Sequence, residues 1–142
     1  MTPQEIAARL PELTGGPHND DTITALAQIT AEAVRALNHA TFPRAALSEP
    51  GTVYRVLGEL ATAANRLPQL VTQLARWLAE ENTAGRLADD HDLPGAMAYV
   101  MARLDQNAPR YAALLGGALD DAQQATAGLY RPDGPDEGGA DQ

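Results

Sequence analysis

The sequence predicts an all-α fold: an antiparallel three-helix bundle with two long kinked helices, a shorter helix and a short N-terminal helix. Three observations carry this. Apolar residues recur at steps of three and four over long stretches, the spacing of one helical face. Alanine makes up about a fifth of the 142 residues; it has the best helix propensity and lets helices approach closely. β-branched residues are sparse and form no alternating run, so no sheet is expected.

The elements follow in chain order. Residues 3–13 read as a short helix with Ile6, Leu10 and Leu13 on one side. The segment TGGPHNDD, 14–21, is a turn-rich linker in which Asp20 or Asp21 can cap the next helix. That helix, 22–40, has a stripe at Leu26, Ile29, Ala33, Leu37 and Ala40. TFPRAALSEPG, 41–51, is a loop, with Ser48 as the candidate N-cap and Pro50 in the first turn, where a missing N–H costs little.

The next apolar run is Val53, Leu57, Leu60, Ala64, Leu67, Val71, Leu74 and Leu78. It crosses Pro68 without losing phase. An interior proline costs about 3 kcal/mol or more, through a lost hydrogen bond and a ring clash. Each large apolar residue beyond it returns about 1.5–3 kcal/mol if buried. A break would put Leu67, a poor capping residue, at the start of a new helix. One helix over 52–84 is therefore expected, kinked near 64–68 and ended by Gly85.

RLADDHDLPG, 86–95, is a loop with Asp92 as a candidate cap. The last run is Met97, Met101, Leu104, Ala108, Tyr111, Leu115, Ala118, Ala122, Ala125 and Leu129. Its phase also survives a proline, Pro109, so 94–128 is read as one long kinked helix. Asp105, Gln106 and Asn107 upstream make a break easier there than at Pro68, and Gly116-Gly117 weakens the middle. RPDGPDEGGADQ, 131–142, is acidic and rich in Pro and Gly, the composition of a disordered tail. The domain reading is an N-terminal helix and linker over 1–21, a helical bundle over 22–130, and the tail.

Charge and composition narrow the function. Net charge is −9. Residues 1–71 hold five Arg against seven acids, and residues 72–142 five Arg against twelve. A chain this acidic repels phosphate backbones, so nucleic acid is disfavoured as a partner. There is no Cys, hence no thiolate nucleophile and no zinc–thiolate site. The N-terminus lacks a basic region followed by an apolar run, and no apolar run reaches a membrane span. The cytoplasm is the expected location.

No motif names a reaction. Asp89, Asp90, His91 and Asp92 cluster oxygen ligands, but the spacing fits no calcium loop and reads as a solvated turn with a helix cap. His39, near a helix C-terminus, suits the dipole, and no His pair has the helical zinc spacing. Ser48, the single serine, has no nucleophile-elbow context. Glu59, Glu80 and Glu81 lack the Glu-x-x-His partners of a carboxylate metal site, and Arg76 and Glu80 have the spacing of a solvated ion pair. No catalytic residue, cofactor site, metal site or small-molecule substrate is assigned, and the expectation is that the protein is not an enzyme.

Lengths suggest a binding surface instead. Two helices of about 50 Å and one of about 30 Å, joined by short loops, place the short helix beside 52–70 and 108–128. The far end of the long hairpin, 71–84 with 94–106, is then uncovered. It carries Leu74, Trp77, Leu78, Met97, Val100, Met101 and Leu104. Either the N-terminal segment folds over this tip, or a protein partner or second copy covers it. Trp77 is the foremost interface residue by type.

AVRALNHAT (33–41), VYRVLGELATAANRLPQLVTQLARWL (53–78) and ALDDAQQATAGL (118–129) together resemble small, uncharacterised helical proteins of high-GC actinobacteria, some encoded on mobile elements. The resemblance covers roughly 22–130. Those proteins carry no known activity, so it transfers no functional residue; it implies an accessory role for a mobile genetic element. The sequence reading is thus a non-enzymatic helical interaction module. The alternative is a small regulator acting on DNA or a DNA-bound complex.

Overall fold

The computed structural model describes residues 8, 15–43, 46–88 and 95–132. The expected short helix 3–13, the Asp89–Asp92 turn and nearly all of the acidic tail lie outside these residues. Helix α1, Asp20–Thr41, begins at Asn19 rather than at the expected Asp20 or Asp21. Asn19 forms a reciprocal box with Thr22: its Oδ1 accepts the Thr22 N–H at 2.9 Å, and its own N–H donates to Thr22 Oγ1 at 2.8 Å. Two helical donors are satisfied at once, and Asp20 and Asp21 then sit in the first turn, where the helix dipole favours acids. Ile29 is buried and packs with Ala25 and Leu26. The charged side chains Glu32 and Arg35 pair on the wet side at 2.8 Å.

Helix α2, Pro50–Thr83, is 34 residues long and about 51 Å in extent. Glu49, not Ser48, occupies the N-cap position, and no side chain caps the helix. Pro50 takes the first helical position instead, where its fixed φ is already helical. The helix continues through Pro68, as the unbroken apolar phase requires. It stops at a left-handed glycine, Gly85, with φ 70°. The Gly85 N–H donates to the Asn82 carbonyl and the Arg86 N–H to the Glu81 carbonyl, each at 3.0 Å, which satisfies two of the open acceptors in the last turn. A second positive-φ glycine, Gly95, precedes helix α3, Ala96–Met101.

The second rod is continuous but not uniform. After α3 comes a π-helical segment, Ala102–Asn107, and then α4, Ala108–Thr126. In the π segment the Ala108 N–H donates to the Arg103 carbonyl, five residues back. Pro109 is the cause: it has no N–H to return to the Asp105 carbonyl, and its ring would clash with that group in an ordinary α-turn. The wider turn relieves the clash and inserts one residue.

That extra residue corrects the expected phase of α4. Tyr111 and Leu115, placed on the buried stripe by the sequence, are 64% and 51% exposed. The buried position is Gly116, flanked by half-buried Ala112, Leu119 and Gln123. One residue corresponds to about 100° of rotation, enough to swing a flank residue into the contact.

α2 packs along α4 for most of its length and meets the π segment and α3 toward its C-terminal end. Asn65 Nδ2 donates to Asp120 Oδ2 at 3.0 Å. A Cβ at Gly116 would collide with the Asn65 carboxamide, and one at Gly58 with the Gln123 carboxamide. Higher numbers on one helix thus meet lower numbers on the other, so the pair is antiparallel. Compact packing divides the chain between Ser48 and Glu49, so α1 belongs to one unit and the hairpin to another. Among the described residues every element is helical and none is a strand, so the predicted all-α class is the class observed.

Candidate interaction surface

The hairpin keeps its small residues inside and many large ones outside. Its buried side chains on α2 are Ala61, Ala64 and Ala75, and the buried position on α4 is Gly116. Among the described residues no large side chain is fully buried. Alanine and glycine let the backbones approach closely but remove little apolar area from water. A buried CH₂ contributes about 0.8 kcal/mol, against about 1.5–3 kcal/mol for a whole Leu side chain.

The leucines flank this seam. Leu67, Leu70 and Leu74 are 37%, 48% and 47% exposed, and Trp77 follows one step further round. With half-buried Val56, Leu60 and Leu78 and exposed Ala63, they make one apolar flank of α2, bordered by Glu59 and Arg66. On α4 the corresponding flank holds Tyr111, Leu114, Leu115, Ala118, Ala122 and Ala125, bordered by Arg110 and Asp121.

The two flanks lie on the same side of the hairpin. The Asn65–Asp120 hydrogen bond marks the opposite edge of the seam. At 100° per residue, Leu67, Leu70 and Leu74 lie across the seam from Asn65, and Tyr111 and Leu115 lie across it from Asp120. One broad side is therefore apolar. The other is polar, and Tyr54, Arg55, Gly58, Glu59, Thr62, Asp120 and Gln123 line a shallow depression there.

Of the tip residues read from sequence, Leu74 and Trp77 are exposed. Leu78, Met97, Val100, Met101 and Leu104 are half-buried, on segments that pack against one another. Tyr99 is exposed beside them, with the Arg103 guanidinium 5.0 Å from its ring centre, a cation–π arrangement. The sequence missed Leu70, Tyr111, Leu114 and Leu115 as surface residues. Two signals could have found them: alanines at 61, 64 and 75, spaced as a close-contact seam, and a proline preceded by polar residues, which marks a shifted phase beyond it.

The tip has one strong ion pair. Arg86 Nε and Nη2 donate to the two Glu81 oxygens, both at 2.6 Å. The guanidinium holds the Glu81 carboxyl below the usual range, and the carboxylate in turn raises the Arg86 value. The i, i+4 pair expected between Arg76 and Glu80 is not formed; both side chains instead border a shallow depression with Ala79 and Thr83. Ser48 and His39 are exposed, His39 in the last turn of α1.

Among the described residues no three His, Asp or Glu side chains converge as a metal site would require. None of the helices there is long and apolar enough to cross a membrane. No family model, curated protein or solved structure matches the chain.

Proposed function

We propose that this protein is a non-enzymatic helical interaction module whose hairpin presents its apolar side to another polypeptide chain. The observation that carries this is where the large side chains lie: alanine and glycine take the fully buried positions of the seam, while Leu67, Leu70, Leu74, Tyr111, Leu114 and Leu115 are left exposed beside it. A contiguous apolar surface is costly to leave wet and marks an interaction site. The tip residues Leu74 and Trp77 form the distal end of this surface. Leu78 lies half-buried on the same flank, and Met97, Val100, Met101 and Leu104 are half-buried on the segments that pack against α2. The resemblance to mobile-element proteins supports an accessory role, and the acidic chain supports a protein rather than a nucleic-acid partner.

The test is site-specific photocrosslinking in cells. A photoreactive residue replaces Leu70 or Tyr111 on the apolar side, or Thr62 or Gln69 on the polar side. Adducts to a polypeptide are expected from the first pair and not from the second. Equal labelling from both sides, or none from either, overturns the reading.

A further inference from the structure

We propose that a second copy of this chain covers the apolar side, so that two hairpins pack face to face as a two-fold symmetric four-helix bundle. This rests on the interaction reading above and names the partner.

The area fits. Leu67, Leu70, Leu74, Tyr111, Leu114 and Leu115 are each between 37% and 64% exposed. With side chains of about 150–250 Å², and with Trp77 and the neighbouring alanines added, the face offers on the order of 700 Å² per copy. Two copies together would bury about 1,400 Å², within the range of specific, stable interfaces.

Charge does not oppose the contact. The charged residues nearest the two rows are Glu59 and Arg66 on α2 and Arg110 and Asp121 on α4, one acid and one base bordering each row, so the excess negative charge of the chain is not concentrated at its edge.

Pattern supplies a third argument. Positions 67, 70, 74 and 77 step by three and four along α2, and 111, 115, 118 and 122 do so along α4. Such rows interdigitate with like rows at the small crossing angles of four-helix bundles. A two-fold axis lying in the interface brings each row against a row of the partner copy, which is the isologous contact most homodimers use. The seam of one hairpin, built from alanine and glycine, then becomes one layer of a core whose large side chains come from the facing flanks.

The chain has no Cys, which gives a clean probe. Gln69 is exposed on α2, on the polar side. A spin label on Gln69→Cys in the full chain reports only distances between copies. Double electron–electron resonance is expected to show one defined inter-label distance, and sedimentation velocity a mass of two chains at micromolar concentration. Introducing Leu70→Glu and Leu115→Glu together into the labelled chain abolishes the distance and halves the mass, with helicity by circular dichroism retained. Thr62→Glu on the polar side changes neither. If the double variant loses helicity, the single variants Leu70→Glu and Leu115→Glu are read by the same two measurements: loss of the two-chain mass with helicity retained supports the dimer, and a two-chain mass kept by both overturns this face as its contact.

A single-chain mass and no inter-label distance in the wild-type background overturns the proposal. If photocrosslinks from Leu70 and Tyr111 then join a different protein, the interaction reading stands and only the second copy is excluded. A single chain without such crosslinks removes both.

Discussion

The two rods of the hairpin meet the same problem, a proline inside a helical pattern, and solve it differently. In α2, Pro68 sits within an α-helix that continues on both sides of it. In the partner rod, Pro109 is preceded by a π-helical segment and occupies the first turn of α4. The first solution preserves the apolar phase and the second shifts it by one residue. An interior proline therefore does not by itself reveal where the face beyond it points. The outcome depends on whether the preceding turn keeps its width, and the polar stretch Asp105–Asn107 has no apolar stripe to lose by widening.

The largest expected effects come from removing each proline. Pro68→Ala restores a backbone donor inside α2 and removes the clash with the Ala64 carbonyl. It should raise stability by up to about 3 kcal/mol in chemical denaturation. Pro109→Ala should change stability by less than about 1 kcal/mol, because the wider turn before Pro109 already relieves the clash. Equal effects from the two substitutions would erase the distinction between the rods.

Next come the paired glycines of α4, which test the shifted phase. Gly116 faces the seam, where a Cβ would collide with the Asn65 carboxamide and come within 3.3 Å of the Asn65 backbone nitrogen. Gly116→Ala should therefore destabilise by about 1–3 kcal/mol. Gly117 has open space around it, and Gly117→Ala should stabilise by about 0.5–1 kcal/mol through helix propensity. Thermal melts of the two variants moving in opposite directions confirm the register; the reverse pattern would restore the phase read from the sequence.

The smallest effect is at the tip, where α2 ends. Arg86 depresses the Glu81 carboxyl. A depressed folded-state value means that Glu81 contributes stability above the ordinary carboxylate range and loses it as pH falls through the folded value. The pair is on the surface, so the contribution is small. An NMR titration should find the Glu81 midpoint below that of a free glutamate, and Arg86→Gln should move it back up.

Much of the fold was legible before any coordinates. The all-α class, the unbroken passage through Pro68 and the stop at Gly85 follow from period, propensity and backbone chemistry acting within a few residues. The first cap was less legible. Asn19, Asp20 and Asp21 are all good capping residues, and only the Thr22 hydroxyl at the right offset selects Asn19. The exposed apolar flank was half legible. Leu74 and Trp77 were expected at the surface because they sit near the tip, and they are exposed, but Tyr111 and Leu115 were placed inside because the π-turn leaves no mark in hydrophobic spacing.

Which residues are helical, and that each rod has an apolar stripe, depend on local hydrogen bonding and side-chain spacing and so are written in the order of the residues. Tertiary structure decided which part of each stripe faces the other rod. Close packing favours the smallest side chains at the tightest contacts, so Ala61, Ala64, Ala75 and Gly116 took those positions and Leu67, Leu70 and Leu74 turned outward. That choice depends on the surface of the opposite helix, which no single stretch of chain contains.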